Sequence, residues 1–215
     1  MPTTLTEGKH RGEHLVSEAS GHRSRALITI ANGEDLKAGH VIGRTVDGAS
    51  ITTQADAGNT GDGAITMEAT AVGAGVVSGD YVASCIEPAT DGGIFAVQGP
   101  DGINVGTAVV GSTFDGPVRF TINDGATDFA AGDRFTITVP DGDWAEYDPT
   151  NTDGSDTPRG ILYDNVDATG GAEEAVAHVR DAEVNKAELA WFDGATDDQK
   201  STALKELAKL GIIGR

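Results

Sequence analysis

Short runs rich in apolar residues, some alternating with polar ones, lie over 25–30, 41–46, 66–72, 79–86, 94–97, 105–110, 118–122 and 135–139, cut by turn residues at roughly ten-residue spacing. Alternation places successive side chains on opposite faces, the pattern of a half-buried strand. Repeated at that spacing, it predicts a small sandwich or barrel. After a polar loop over 145–160, strands resume at 161–163 and 175–179. Residues 182–185 pair back, and 189–192 form an apolar knot. One segment has the helical period instead. Ala203, Leu204, Leu207 and Leu210 make an apolar stripe, with Lys200, Lys205 and Glu206 off it. Thr196 and Gln199 form a capping box ahead of the stripe, and Gly211 is placed to stop the helix before Ile212 and Ile213.

A short device occurs twice. Asp35-Leu-Lys-Ala-Gly39 precedes the strand ending at Val46, and Asp128-Phe-Ala-Ala-Gly132 precedes the strand ending at Val139. The glycine suits a backbone geometry that other residues resist. Two similar β-units, or one favoured turn used twice, would both produce it.

Residues 1–25 break the pattern. Only Leu5, Leu15 and Val16 have much to bury among His10, Arg11, His14, His22, Arg23 and Arg25. So little apolar surface does not offset ordering entropy, which predicts a mobile arm: a plain tail, or a segment that orders on a partner.

Composition supports the β reading. Thirty glycines, nine Asp-Gly pairs and 5% aromatics describe short strands joined by tight turns, not a helical bundle. The fold class expected is mainly β with minor α. The net charge of −19, from 34 acidic and 15 basic residues, argues against nucleic acid and anionic membranes as partners. No stretch approaches the ~20 apolar residues that cross a bilayer. Cys85 is the single cysteine, so no intrachain disulfide forms. The first ten residues lack a signal-peptide layout, so synthesis in a cytoplasm is expected.

Catalytic patterns are thin. Gly58, Gly61 and Gly63 are wrongly spaced for a dinucleotide, and no phosphate loop is present. His10 and His14 are four apart, but nothing marks their segment as a stable helix, and the other histidines are dispersed. Neither 148–154 nor 141–143 reads in calcium-loop register, and turn-forming Asp explains both. Cys85 has no activating histidine near it in sequence and reads as a small buried strand residue. Paired carboxylates for glycoside hydrolysis stay open because their separation is spatial, although few aromatics are available to line such a cleft. No cofactor, no metal and no enzymatic activity are expected.

Two flanks of the chain resemble a known family. Residues 26–48, from Ala26-Leu-Ile-Thr-Ile through Asp35-Leu-Lys-Ala-Gly39 to Gly48, are similar to the opening of the core in phage lambda-type head decoration proteins. Residues 159–215, with Arg159-Gly-Ile-Leu-Tyr163, Val176-Ala-His-Val-Arg-Asp-Ala-Glu-Val184, Trp191 and the terminal helix, are similar to its close. Together they cover about half of the chain. The stretch between resembles the insertion of longer members. The resemblance implies a capsid-binding arm over 1–25, a split core over 26–50 and 145–215 with a C-terminal helix, and an inserted sandwich or barrel-like outer domain over 51–144. It implies a homotrimer on three-fold positions of the expanded head, bound to the major capsid protein on the outer surface of the virion. The arm would contact the capsid through Leu5, His14, Leu15, Val16, His22, Arg23 and Arg25. Trp191, Phe192, Leu207 and Ile212 would make trimer or core contacts. The alternative is a β-rich carbohydrate or host-surface binding module.

Overall fold

Both Asp-x-x-Ala-Gly segments launch strands in the computed structural model, which describes residues 7–20 and 23–215. Gly39 (φ +85°) and Gly132 (φ +96°) take the left-handed backbone that reverses the chain. The second residue of each device, Leu36 and Phe129, is buried and anchors the turn. In chain order the strands are β1 (Leu15–Glu18), β2 (Arg25–Ile30), β3 (Asp35–Leu36), β4 (Val41–Val46), β5 (Thr52–Ala55), β6 (Ala64–Val72), β7 (Gly79–Ala89), β8 (Gly92–Gln98) and β9 (Asn104–Val109). They continue with β10 (Thr113–Asp115), β11 (Val118–Asn123), β12 (Arg134–Val139), β13 (Asp141–Glu146), β14 (Pro158–Leu162), β15 (Val166–Asp167), β16 (Glu173–His178) and β17 (Ala182–Val184). Helix α1 (Asp197–Lys209) and β18 (Ile212–Gly214) end the chain. The fold is mainly β with one C-terminal α-helix.

Two compact units divide the chain. One holds residues up to Arg44 with Asp143–Thr150 and Ser155–Arg215; the other holds Thr45–Gly142 with Asn151–Gly154. The first unit is organised by a closed barrel in the order β13-β2-β16-β14-β4. Adjacent residues of β4 and β14 serve two different apolar clusters, because neighbouring side chains on a strand point oppositely. Ile42 and Leu162 join Ile28, Ile30 and Ala177. Val41 and Ile161 join Val184, Leu189, Ala203, Leu207 and Ile212. Helix α1 supplies Ala203 and Leu207 to the second cluster, both fully buried. Its capping box forms as the sequence predicts: Thr196 Oγ1 accepts from the Gln199 amide, and Gln199 Oε1 accepts from the Thr196 amide. Gly211, at φ +80°, turns the chain into β18. That strand runs parallel to β17, which pairs antiparallel with β1 on its other side.

The second unit is a two-sheet sandwich. Sheet β10-β11-β6 and sheet β5-β12-β7-β8-β9 share one core, in which Phe114, Phe120 and Ile122 meet Tyr81, Phe95, Phe135 and Ile137. Five of the six phenylalanines lie there, with Phe95 edge-on to Phe129 at 5.0 Å between ring centroids. Strand β7 runs through Pro88, where the sequence predicts a stop. Beyond Ser84 it no longer pairs with β12, so Pro88 opposes only Gly93 of β8. Proline is tolerated where one side of a strand needs no amide donor.

The largest departure lies near the N-terminus. The described part of the expected mobile arm is not free: Gly12 N donates to Tyr163 O at 2.8 Å, and β1 pairs with β17. Apolar burial is small here, as the composition requires. Backbone pairing and a buried histidine take its place.

Candidate functional site

The geometry around β1 begins at His14. Its backbone oxygen accepts from Asn185 N at 2.8 Å, which turns the imidazole inward, where it is 1% exposed. Its Nε2 lies 3.2 Å from Nδ1 of His178, the last residue of β16 and fully buried. His178 Nε2 lies 3.3 Å from Glu18 Oε2, at the end of β1. Glu18 in turn accepts from Arg25 Nε at 2.8 Å, Arg25 Nη2 at 2.6 Å and Ser24 Oγ at 2.9 Å. The Arg25 guanidinium stacks 4.1 Å from the centroid of the Tyr163 ring. Each polar residue in this chain answers to the next, from β1 through β16 to β2.

The electrostatics follow from that order. Burial, then His178 and Lys9, lowers the His14 pKa to about 4. Burial also lowers the His178 pKa, against the pull of Glu18. Hydrogen bonding from Arg25 lowers the Glu18 pKa to about 2. At neutral pH the cluster is therefore two neutral rings and one ionised pair.

Strand β1 is an edge strand, with β17 as its neighbour. Val16 on it is 55% exposed, and Leu15 is half-buried. An edge strand with an exposed apolar side chain suits strand addition by another chain. Of the other arm residues named from the sequence, Arg23 is exposed and ion-paired to Asp181 at 3.0 Å, while His14 and Arg25 face inward. Leu5 and His22 lie outside the described residues. Leu207 and Ile212 are fully buried, and Trp191 and Phe192 pack partly buried against the same cluster. The sequence reading passed over Leu27, 68% exposed on β2, although strand parity with buried Ile28 and Ile30 points it outward. No local signal links His14 to His178, because 164 residues separate them.

Elsewhere, Asp91, Asp124 and Asp128 bring one carboxylate oxygen each within 4.8 Å of the others. Acidic groups commonly gather this way without an ion.

A family model described as bacteriophage lambda head decoration protein D matches residues 4–212. The chain belongs to that family. It is thus a phage head component of the decoration class. No curated protein matches it. Among solved structures, Xanthomonas campestris FlgL in two crystal forms is similar to 49% of this chain at 25% identity, with TM-scores of 0.33 and 0.32. The match spans 34% and 33% of the FlgL chains, and likeness at that level carries no argument. A head decoration family implies binding to the phage capsid.

Proposed function

We propose that this protein is a capsid cement: a homotrimer that binds the outside of the expanded phage head at three-fold positions and stabilises it. The family match over residues 4–212 carries this reading. The edge strand β1, with Val16 outward, supports docking by strand addition to the major capsid protein. A trimer bound at several points multiplies modest contacts through effective concentration. Binding the expanded lattice alone stabilises that state by mass action. The strongly acidic surface of the unit built from Thr45–Gly142 suits an outward, solvated knob. All six aromatic residues of that unit are buried, which leaves it no ring for stacking on a sugar and weakens the carbohydrate-module alternative.

The test is to add the full chain to expanded heads that lack it and reconstruct them by electron microscopy. Trimeric density at the three-fold positions is expected, and its absence there overturns the proposal. Val16→Asp alters an exposed side chain, so folding should change by no more than ~0.5 kcal/mol. Head binding should fall at least about tenfold, because each protomer of the trimer carries the defect. Unchanged binding would remove β1 from the docking surface.

A further inference from the structure

We propose that the His14–His178 contact is an acid-labile latch, which holds the N-terminal segment on its unit at neutral pH and releases it on acidification. The hydrogen-bond chain fixes the protons. Glu18 accepts from Arg25 through both oxygens and from Ser24, so it faces His178 as an anion. His178 Nε2 must then carry a hydrogen, which leaves its Nδ1 as an acceptor. His14 Nε2 must donate to that Nδ1 across 3.2 Å. His14 Nδ1 is left as a bare lone pair, and it is buried without a hydrogen-bond partner among the described residues.

An added proton therefore has two places to go, and both oppose the native arrangement. On His14 Nδ1 it creates a buried cationic N–H facing no acceptor. On His178 Nδ1 it sets a donor against the His14 Nε2 donor, or drives the His14 hydrogen to Nδ1, where again no described acceptor faces it. The cationic neighbours add to this. Lys9, tied to Glu188 at 2.7 Å, and Arg25, on β2, both repel an imidazolium. Tyr163 meets His178 edge-on at 5.5 Å between centroids and offers no charge. Glu18 is the one anion in contact, and it already receives three hydrogen bonds. The lowered titration of both rings agrees with this geometry.

Besides the Glu18 bonds to Arg25 and Ser24, the remaining ties of the segment are short. Strand β1 pairs over four residues with a bulge, and single bonds run from Gly12 N to Tyr163 O, Asn185 N to His14 O and Ala19 N to Asp181 O. Release frees a strand and exposes the β17 edge at once. Only the consequence for capsid docking rests on the cement reading; the latch itself does not.

Three ion pairs also tie this stretch, Lys9–Glu188, Arg11–Asp164 and Arg23–Asp181, and their loss is a second route to release. The experiment separates the two causes. Amide exchange at Gly12, Ala19 and Asn185 is followed by NMR on the full chain from pH 7 to 3.5, with the histidine ring signals titrated in the same samples. Exchange is corrected for its intrinsic pH dependence. Protection at those amides should fall at least about tenfold in step with ring protonation, while Ala31 and Tyr163, bonded within the barrel, stay protected. In H14Q/H178Q, where neither side chain titrates, release should move down by a pH unit or more. Release at the same pH in both proteins overturns the latch, as does loss together with Ala31 and Tyr163. If the double variant does not fold, the wild-type comparison decides: release while the rings are still neutral overturns it. Capsid binding at neutral pH plays no part in the measurement, so failure here leaves the cement proposal standing.

Discussion

Leu207→Ala tests how α1 is held. Leu207 is fully buried among Val41, Tyr147, Ile161, Val184, Leu189 and Ile212. Truncation removes three carbons, worth about 2.4 kcal/mol at ~0.8 kcal/mol per methylene. The cavity adds to this, because strands on one side and the capped helix on the other limit collapse. Residual voids cost ~24 cal/mol per Å³, which brings the expected loss to about 3–4 kcal/mol. Both tryptophans, Trp144 and Trp191, belong to the barrel unit, and the sandwich unit has none. Tryptophan fluorescence during urea unfolding therefore reports on the unit that contains Leu207. The midpoint should fall with little change in slope, since the surface exposed on unfolding is nearly constant. A loss below ~1 kcal/mol would mean that the helix is not anchored by this cluster.

Four further outcomes follow from particular groups. His14 is depressed to about 4 by burial, so its neutral form contributes stability that is complete above its ordinary value of 6.5 and lost as pH falls from there towards 4. Urea titrations across that window should show about 3 kcal/mol of loss, absent in His14→Gln, with a ceiling at the cost of opening β1. Glu18 acts in a lower window, because Arg25 depresses it to about 2 and its stabilising contribution disappears only below its ordinary 4.5. Thr196→Ala removes the hydroxyl that accepts from Gln199 N and should cost about 1 kcal/mol by the same fluorescence assay. Cys85 is 3% exposed and burial pushes its thiol upward, so a thiol reagent should label it only when the sandwich unit opens. Fast labelling of the native chain would contradict that packing.

Strand and helix identity were legible wherever a local rule operates. Short apolar, β-branched runs bounded by turn residues placed β2, β4, β8, β11 and β12, and the Thr196–Gln199 box with Gly211 placed α1, because those signals lie within one turn or one strand. The two Asp-x-x-Ala-Gly devices were readable for the same reason: a left-handed glycine and a buried second residue are five-residue properties. Strands β1, β5, β10, β13 and β18 escaped, being short or polar, and their stability comes from partners and not from their own pattern. Thr52–Ala55 is exposed throughout and is a strand because β12 pairs with it.

By itself, the sequence determined a mainly β fold, a capped terminal helix, an acidic surface and, through its two flanks, the family. Tertiary structure alone decided the fate of His14. In sequence it is one of several histidines in a polar stretch. In the folded chain it meets a ring from 164 residues away and becomes a fully buried polar contact. Periodicity and capping act over a few residues and can be read along the chain. A buried pair depends on which strands become neighbours, and that is fixed only when the whole barrel closes.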